Sequence, residues 1–449
     1  MVRLQEIADR RRRKETGKEA AAVNETLRYI HSRTRFGSRF GLERMQELLR
    51  RVGNPQEHLR FVHIAGTNGK GSTATYIANT LTAAGYRCGR YISPFVLNFN
   101  ERISIDGVSI SDEDLAWAVN ILKPHVEQMD DTVTEFELVT AAAMLYYYAQ
   151  GCDVVSLETG LGGRFDATNV IPAPMCAVLT KISFDHMQYL GTTLEQIAFE
   201  KCGIVKPGSA VISYPFQFSE AAGVIARTAE ERGCPLYLPD NDKLEILRSD
   251  IDGSLIEYDG LRLRVPLAGR HQIYNAVTAV CALQYLTARR GFRISREHMA
   301  EGIGNTFFPA RLEVLRREPT VLLDAAHNAD GMRTLCDALD NFAKGKKIVA
   351  VFGVFKDKDY KTELEMLAKC ADCFITLTPD DPRGLDGGYL AHLCRRTGKP
   401  AEHIPDYLDA YKKALELAGP KGFVVICGCL HMASDIRALL QNLSDESVG

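Results

Sequence analysis

The residues most suited to chemistry lie in a glycine-rich segment, AGTNGKGST, at positions 65–73. This segment follows an apolar run, FVHIA, and precedes a stretch with a helical pattern, TYIANTLTAAG. Glycines between a strand and a helix let backbone N–H groups approach an anion, and the helix N-terminus favours negative charge. We therefore predict a phosphate-binding loop with Lys70 on the β- and γ-phosphates and Ser72 on Mg²⁺. Its residues are Gly66, Thr67, Asn68, Gly69, Lys70, Gly71 and Ser72.

The spacing of this loop departs from the common phosphate-loop pattern. Gly71 separates Lys70 from Ser72, whereas the usual pattern places the hydroxyl residue directly after the lysine. The departure leaves open which class of nucleotide-binding protein the loop belongs to. A glycine-rich turn that binds no ligand is the alternative.

Charged residues follow several of the apolar runs. Glu158 ends the run DVVSLE, and open α/β sheets bind ligands at the carboxyl ends of their strands, so Glu158 is a candidate metal ligand. Asp185 and His186 follow another run, and a neutral imidazole can also ligate metal. Asp166 lies in the loop after Glu158, where it could equally cap a helix. Lys201 ends a helical stretch, and the residues alone favour a C-terminal charge that complements the helix dipole.

Three more candidates lie in the C-terminal part of the chain. Asp324 ends the apolar run TVLLD, and an aspartate at a strand end can hydrogen-bond a ribose. His327 could contact phosphate, and Arg311 could clamp phosphates as a bidentate donor. A helix N-cap for Asp324 and a surface charge for Arg311 fit the sequence equally well.

The elements that must position these residues alternate along the chain. Short β-rich runs such as FVHIAG, DVVSLET and SAVISY are interspersed with amphipathic stretches, which predicts an α/β fold around a parallel sheet. Residues 244–269 alternate between apolar and polar and contain two Asp-Gly turns, which predicts a small antiparallel excursion. The segment GIGNTFFPAR then interrupts the pattern, and a second α/β series follows.

We therefore predict two α/β domains, in keeping with a chain of 449 residues, since single cores stop growing near about 250–300 residues. Residues 1–304 would form an N-terminal mononucleotide-binding domain with a parallel sheet and the phosphate loop. Residues 305–449 would form a smaller, Rossmann-like C-terminal domain.

Composition limits the class of protein. A net charge of −3 gives no positive field for nucleic acid, and no apolar run is long enough to cross a membrane. The start lacks a secretory signal, and the twelve cysteines lack the spacing of a disulfide framework, so we predict a cytoplasmic enzyme. The basic segment RRRRKETGK at 10–18 is interpreted as a solvated helix end.

The cysteine-rich C-terminal segments raise the question of a zinc site. Cys370 and Cys373 form a C-x-x-C pair, and Cys427, Cys429 and His431 cluster later in the chain. The surrounding segments, CFITLT and GFVVICG, have the pattern of buried strands, where free cysteine behaves as a small apolar residue. The spacing of the second cluster is not that of a standard zinc site, so we favour buried thiols.

Several motifs occur in an order that resembles one enzyme family. They are GTNGKGS, SPF…NERI, TEFE, ETGLGGRFDATN, DHMQYLG, EKCGIVKPG, PARLE, DAAHN and DKD. The chain is similar to the folylpolyglutamate synthase/dihydrofolate synthase family, which is related to the Mur ligases of cell-wall synthesis. The resemblance covers about residues 22–437, and ETGLGGRFDATN with EKCGI is far more specific than GTNGKGS. Phosphate loops of this family have the extra glycine.

The resemblance implies ATP and two Mg²⁺ ions, with Ser72, Glu158 and His186 as metal ligands. It also implies that Lys201 carries a carbamate derived from CO₂, which would turn a cation into an anion beside the metals. Lys70, Glu158, His186 and Lys201 would then be the catalytic residues. Nucleotide contacts would come from Asn275 on the adenine side and from Arg311, Asp324 and His327.

The implied reaction transfers the γ-phosphoryl group of ATP to a carboxylate, and the amine of L-glutamate then attacks the acyl phosphate. Substrates would be a reduced folate and also dihydropteroate in a bifunctional enzyme, and we expect a monomer. Residues at pterin-contacting positions are Thr134, Phe136, Asp166 and Ala167. Phe136 offers a stacking face, although core packing is the rival explanation, and Asp166 offers an acceptor.

Three positions depart from the family pattern. Phe95 stands where histidine is usual, Ala325 stands where glycine is usual, and Ala310 precedes Arg311 in place of glycine. The alternatives are an enzyme restricted to folylpolyglutamate synthesis or a Mur-type ligase acting on another carboxylate. A Mur-type enzyme would normally have an additional UDP-binding domain before the phosphate loop. A GTPase-like switch would need a guanine-specificity motif such as N-K-x-D, which the sequence lacks in a suitable position.

Overall fold

The computed structural model describes residues 19–33 and 41–446, so the basic segment at 10–18 lies outside the described residues. The chain separates into two compact units. Of the described residues, the first unit comprises 19–33, 41–243 and 274–306, and the second comprises 244–273 and 307–446. The predicted division at 304/305 is two residues from the observed crossing at 306/307. The linear division of the sequence did not assign residues 244–273 to the second unit.

The first unit is built on an eight-stranded sheet in the order β4-β3-β2-β5-β1-β6-β7-β8. Six neighbouring strands are parallel, namely β2, β5, β1, β6, β7 and β8. Strands β3 and β4 extend the β2 edge of the sheet in antiparallel pairs. The predicted parallel α/β sheet is confirmed, with that antiparallel edge as an addition. The strands are β1 Phe61–Ala65, β2 Cys88–Tyr91, β3 Ile103–Ile105, β4 Val108–Ser109, β5 Val154–Glu158, β6 Cys176–Leu179, β7 Ala210–Ser213 and β8 Leu236–Tyr237.

Helices of the first unit pack beside this sheet. The first eight are α1 Glu19–His31, α2 Glu43–Arg51, α3 Lys70–Ala83, α4 Asp112–Glu127, α5 Glu135–Ala149, α6 Met187–Leu190, α7 Leu194–Cys202 and α8 Ser219–Glu231. Helix α9, Arg270–Arg289, contains the boundary between residues 273 and 274, and α10 is Arg296–Gly304. Short 3-10 helices occur at Pro55–His58, Phe99–Arg102, Ala167–Val170 and Asn241–Lys243. No helix among the described residues is both long and apolar enough to cross a lipid bilayer.

The second unit contains two sheets. A three-stranded antiparallel sheet holds β9 Leu244–Asp250, β10 Gly253–Tyr258 and β11 Leu261–Val265, as predicted for the Asp-Gly segment. A six-stranded sheet has the order β12-β13-β17-β14-β15-β16 and is parallel except for β12. Its strands are β12 Glu313–Arg317, β13 Thr320–Leu323, β14 Ile348–Phe352, β15 Cys373–Thr376, β16 Ala401–His403 and β17 Phe423–Cys427. Its helices are α11 Ala329–Phe342, α12 Tyr360–Cys370, α13 Gly387–Arg396, α14 Tyr407–Ala418 and α15 Leu430–Glu446.

Two interactions explain why residues 244–273 belong with the second unit. Asp252, in the turn between β9 and β10, forms an ion pair with Arg317 at the end of β12. Ile251 packs against the buried core of the second unit, and Ala268 is part of that core. The excursion therefore completes the apolar core of the second unit, which the order of segments in the sequence cannot reveal.

Helix α3, which starts in the phosphate loop, is held by α10 in the same unit. Gly302 of α10 faces α3 so closely that a Cβ at this position would lie 2.3 Å from the Cα of Thr80. Beside this contact, the amide of Asn79 donates to the Thr306 hydroxyl at 2.9 Å. The absence of a side chain at Gly302 thus sets the distance between the two helices.

We expect Gly302→Ala to lower the thermal stability of the protein, because the added methyl group meets the backbone of α3 rather than a side chain that can move. Overpacking of this kind costs about 1–3 kcal/mol. Gly223→Ala is the matched control, since Gly223 lies in α8 with no atom within 4 Å of the added Cβ. That change should be neutral or stabilising by roughly 0.5–1 kcal/mol. Equal melting temperatures for the two variants would contradict this packing argument.

Candidate functional site

The phosphate loop connects β1 to α3, and two of its glycines are required by close contacts. Gly69, the residue before α3, has a φ of +85°, and a Cβ there would lie 2.5 Å from the side-chain oxygen of Asn275. A Cβ at Gly66 would lie 1.9 Å from the Thr180 hydroxyl. The structure therefore brings Asn275, the predicted adenine-side residue, against the phosphate loop.

Hydrogen bonds to the segment after β6 fix the start of the loop. The backbone N–H groups of Thr67 and Asn68 both donate to the carbonyl of Lys181, at 2.8 and 3.2 Å. The Thr67 hydroxyl donates to the Ser183 carbonyl at 2.9 Å and accepts from the Ser183 N–H at 3.0 Å. The N-terminus of α3, which supplies the positive end of the helix dipole, is thereby held in one place.

Lys70 and Glu158 come together at this end of the sheet. The Lys70 ammonium lies 3.9 Å from a carboxylate oxygen of Glu158 and donates to the Thr67 carbonyl at 3.2 Å. Glu158 ends β5, and its neighbour in the parallel register is Ile64 of β1, which explains why it ends beside the loop. Its other carboxylate oxygen accepts from the Ser93 N–H at 3.2 Å. Glu158 is buried, with 4% of its surface exposed, whereas Lys70 is half-buried.

Ser72 is the third residue of α3 and is buried, with 2% of its surface exposed. Because Gly71 is the second residue of the helix, the extra glycine moves the hydroxyl one position further along the first turn. The structure thus places Ser72 in the first turn of the helix that follows the loop, where the sequence predicts a metal ligand.

Lys201 lies in the last turn of α7, where a positive charge complements the helix dipole, and it is buried inside the first unit. Its amine donates to the Gly66 carbonyl at 2.8 Å, and the residue is 4% exposed. Burial lowers the pKa of Lys201 to about 7, and repulsion from Lys70 adds to the effect, while Asp185 and Asp166 oppose it. A lysine that is partly neutral at physiological pH can act as a nucleophile.

His186 differs from these residues in its exposure. It adopts a left-handed conformation with a φ of +50° immediately before α6, and 42% of its side chain is exposed. Its ring nitrogen Nε2 lies 3.8 Å from a carboxylate oxygen of Asp185. Within residues 19–33 and 41–446, no three or more His, Cys, Asp or Glu side chains converge where they could hold a metal ion. All twelve cysteines, including those considered for zinc, are free thiols.

Two of the predicted pterin-contacting residues have capping roles. Thr134 caps α5, and its hydroxyl and the Glu137 side chain form reciprocal bonds of the capping-box type. Asp166 caps the 3-10 helix Ala167–Val170 and also accepts from the Leu161 N–H at 2.8 Å. Burial raises the pKa of Asp166, and the hydrogen bonds from Thr168 and Leu161 oppose this shift.

Phe136 and Ala167 pack against the apolar core of this unit. The half-buried Phe136 ring lies against Gly160, where a Cβ would come within 2.5 Å of the ring, and 6.1 Å from the ring of Tyr91. Ala167 is buried at the start of the 3-10 helix. Core packing and a contact with substrate are both compatible with Phe136, because the ring is only partly covered.

In the second unit, Asp324 lies beside the turn that carries Arg311. Its two carboxylate oxygens accept from the N–H groups of Leu312 and Ala326, at 2.9 and 2.8 Å. Burial raises the pKa of Asp324, and the Arg311 guanidinium opposes the shift. Ala310 and Leu312, on either side of Arg311, have φ angles of +52° and +48°, so the backbone that presents the arginine is strained.

The helix after this turn is capped by a different residue from the one considered. Asn328, not Asp324, caps α11, and its side chain accepts from the Gly331 N–H. His327 lies just before the cap, with its ring nitrogen Nδ1 2.8 Å from the Ala325 carbonyl. Arg311 and Asp324 are therefore neighbours in one turn region, and His327 follows on the same segment.

Reasoning from the sequence missed two buried residues that contact the site. His63 lies in β1, and its ring nitrogen Nε2 is 2.9 Å from the hydroxyl of Thr168, which in turn contacts Asp166. A histidine within the apolar run FVHIA is the available signal in the sequence, but the run gives no partner for it.

Comparisons with known proteins show which family the chain resembles. Residues 64–283 match the Mur ligase middle domain, and residues 310–430 match the Mur ligase glutamate ligase domain. The chain is similar to the dihydrofolate synthase/folylpolyglutamate synthase of Bacillus subtilis, with 37% identity over 94% of this chain and 99% of the relative. It is also similar to the Mycobacterium tuberculosis folylpolyglutamate synthase complexed with ADP and AMPPCP. That structure has 30% identity and a TM-score of 0.85, over 94% of this chain and 99% of the other. The structure of Escherichia coli FolC in complex with DHPP and ADP has 27% identity and a TM-score of 0.84, over 96% of this chain and all of the other.

The depressed pKa of Lys201 gives a prediction about stability. In the unfolded chain this lysine binds a proton up to its ordinary pKa of 10.5, whereas in the folded protein it loses the proton from about pH 7. The buried charge therefore lowers the free energy of unfolding by its full amount below pH 7, and this loss of stability disappears as the pH rises toward 10.5. In buffer freed of CO₂, we expect the melting temperature of Lys201→Met minus that of the unchanged protein to be more positive near neutral pH than at higher pH.

Lys123→Met, at a half-exposed lysine of α4, is the matched control and should show no such dependence on pH. Melting temperatures of both variants and of the unchanged protein at several pH values decide the point. A constant difference between Lys201→Met and the unchanged protein across this range would contradict the assignment of a desolvated lysine.

Proposed function

Because the chain belongs to the Mur ligase family, within its folylpolyglutamate synthase/dihydrofolate synthase group, we propose that it joins L-glutamate to folates in an ATP-dependent reaction. We further propose that dihydropteroate is a second acceptor, so that the enzyme is bifunctional. The observation that carries the proposal is the arrangement of the half-buried Lys70 with the buried Glu158 and Lys201 around the phosphate loop. The relatives bound to ADP and to DHPP support it.

Amide formation from a carboxylate requires activation, because a carboxylate oxygen is a poor leaving group. In the proposed reaction, a carboxylate oxygen of the substrate attacks the γ-phosphorus of ATP, and the bond to the β-phosphate oxygen breaks. The amine of glutamate then attacks the acyl carbon, loses a proton and expels inorganic phosphate. Lys70, at the start of α3, neutralises negative charge on the transferring phosphoryl group.

The residues at the loop are suited to a magnesium ion whose ligands come partly from the protein and partly from the phosphates of ATP. Mg²⁺ prefers oxygen ligands and keeps several waters, and it is usually bound by one or two protein oxygens plus phosphates. Ser72 and Glu158 supply a hydroxyl and a buried carboxylate beside the phosphate loop. Those two residues would hold the ion, with the exposed His186 as the proposed ligand of a second one. When bound, the metal would offset the charge of the phosphates.

We propose that Lys201 is carbamylated. The reaction requires a neutral amine, whose nitrogen attacks the carbon of CO₂ and then loses a proton to give an anionic carbamate. Burial and the neighbouring Lys70 lower the pKa of Lys201 to about 7, so a neutral fraction exists at physiological pH. The carbamate would replace a destabilised cation with an anion that Lys70 can pair with.

The pterin end of the substrate is proposed to lie at the loop after β5. Phe136 presents a partly covered ring beside Gly160, which suits stacking on a flat heterocycle. Asp166, Ala167 and Thr134 are the remaining proposed contacts, with the Asp166 carboxylate accepting from pterin N–H groups. Their capping roles hold these groups in place in the absence of substrate.

In the second unit, Arg311, Asp324 and His327 are the proposed nucleotide-binding residues. The strained turn around Arg311 and the paired bonds of Asp324 keep these side chains in a defined orientation. Asn275 and the glycines of the phosphate loop are the proposed contacts of the first unit. We also propose that the enzyme works as a monomer in the cytoplasm, where its twelve free thiols would stay reduced.

A ligase assay tests the proposal. The purified protein with Mg-ATP and L-glutamate should release phosphate when offered either dihydropteroate or tetrahydrofolate, with the glutamylated product identified by mass spectrometry. Lys70→Ala should reduce turnover by a factor of about 10²–10³, as for loss of a group that stabilises transition-state charge, without a change in melting temperature. Lys123→Ala, at a lysine distant in sequence from the loop, is the control and should retain full activity.

The outcomes of this assay separate the alternatives. Release with tetrahydrofolate alone would restrict the enzyme to folylpolyglutamate synthesis. Release with neither substrate would contradict the proposal, and near-normal rates for Lys70→Ala would contradict the role of this lysine.

The carbamate has its own test. Native mass spectrometry in bicarbonate buffer should show an added mass of one CO₂ that disappears in Lys201→Met and persists in Lys206→Met. An unmodified Lys201 in a well-ordered crystal structure grown with bicarbonate would contradict the assignment.

A further inference from the structure

A histidine side chain lies inside the central sheet of the first unit, where apolar residues are the norm. His63 occupies the middle of β1 between Leu157 of β5 and Ala177 of β6, and no part of it is exposed. Burial, with a contribution from Lys206, lowers the pKa of His63 to about 3, so the ring is neutral at physiological pH. A buried polar ring is costly unless it is hydrogen-bonded, and one of its nitrogens has a partner.

The partner of His63 connects it to the loop that follows β5. Nε2 of His63 lies 2.9 Å from the hydroxyl of Thr168, and that hydroxyl contacts the Oδ1 atom of Asp166. Thr168 is fully buried and Asp166 is 5% exposed, so solvent does not compete for these bonds. The three side chains form a continuous hydrogen-bonded chain from the interior of the sheet to the Asp166 carboxylate.

The direction of the bonds in this chain follows from the backbone donors at its end. The N–H groups of Leu161 and Thr168 donate to the two oxygens of Asp166, at 2.8 and 3.0 Å, so the carboxylate acts as an acceptor. The Thr168 hydroxyl has one proton, and that proton is directed to Asp166. The Thr168 oxygen therefore accepts from His63, which requires the tautomer with the proton on Nε2. Nδ1 of His63 has no partner among the described residues, which is consistent with this tautomer.

We propose that His63 and Thr168 are positioning residues for the pterin-bearing substrate, which hold Asp166 as a fixed, charged acceptor for N–H groups of the substrate ring. This inference rests on the proposed function, because it takes Asp166 as a substrate contact. His63 does not touch the substrate in this scheme and acts only through Thr168. A charged acceptor makes stronger hydrogen bonds than a neutral one. A carboxylate held in one orientation can therefore recognise the N–H groups along one edge of the substrate ring.

Packing alone does not explain why a histidine occupies this position. An apolar residue would fill a site between Leu157 and Ala177 without the cost of a buried imidazole. Two backbone N–H groups already anchor Asp166 to its loop, so the Thr168 hydroxyl is not needed to keep the loop closed. What the Thr168 hydroxyl contributes is a second donor on Oδ1, which favours the charged form of the carboxylate that a substrate N–H group would bind.

Paired variants test the proposal. Gln at position 63 can keep an N–H donor near the place of Nε2, whereas Met fills the space without a donor. Removing one such bond should raise the KM for the pterin substrate about tenfold, which corresponds to one hydrogen bond of ordinary strength. We therefore expect this rise for His63→Met and Thr168→Val, values near that of the unchanged enzyme for His63→Gln and Thr168→Ser, and an unchanged KM for ATP in all four.

The substrate is dihydropteroate, or tetrahydrofolate if only that acceptor is turned over. Melting temperatures measured alongside separate loss of folding from loss of positioning. The double variant His63→Met/Thr168→Val should bind the substrate no more weakly than Thr168→Val alone, because His63 acts through the hydroxyl. An unchanged KM in His63→Met, a parallel rise in the KM for ATP, or additive effects in the double variant would each overturn the proposal.

A further variant distinguishes failure of this inference from failure of the proposed function. Asp166→Asn keeps the shape of the side chain but removes its charge, and it should raise the KM for the pterin substrate at least as much as Thr168→Val. If Asp166→Asn leaves that KM unchanged, the assignment of Asp166 to the substrate is wrong and the inference falls with it. If Asp166→Asn raises the KM and His63→Met does not, only the role of His63 is overturned.

Discussion

The hydrogen bond from the buried amine of Lys201 to the carbonyl of Gly66 is the contact on which the rest of the site depends. It fastens the last turn of α7 to the first residue after β1, where the phosphate loop begins. The contact exists only because Lys201 is withdrawn from water, and this withdrawal also lowers its pKa to about 7. The burial of Lys201 thus adds a bond that holds the loop, beside those of Thr67 and Asn68 to Lys181, and makes the lysine more reactive.

The unusual spacing of GTNGKGS has a structural meaning in this setting. Gly69 can hold its left-handed conformation against Asn275, so α3 starts at Lys70. The glycine that follows places Ser72 in the third position of the helix, buried next to the loop rather than directly after the lysine. Around it the sheet supplies Glu158 from a neighbouring parallel strand. The spacing is therefore part of an arrangement that suits an acid–amino-acid ligase.

Much of this fold could be predicted from the sequence, because parallel strands have buried, apolar runs that end at one edge of the sheet. The position of Glu158 at the ligand-binding edge of the sheet is predictable for that reason. The depth of Lys201 could not be predicted, since a lysine in the last turn of a helix has the same pattern whether it faces solvent or the interior. The capping bonds of Thr134 and Asp166 and the link from His63 to Thr168 depend on contacts between distant segments. The same holds for residues 244–269, whose ion pair and apolar contacts lie with the C-terminal half.

We propose that this site activates a carboxylate by phosphorylation before the amine of glutamate attacks. Transfer of ¹⁸O from the labelled carboxylate of the pterin substrate to inorganic phosphate during turnover tests it most directly. An acyl phosphate passes one carboxylate oxygen to the phosphate that leaves, so mass spectrometry should find one ¹⁸O atom in each phosphate released with product. Phosphate without the label, or label recovered in AMP, would contradict the account.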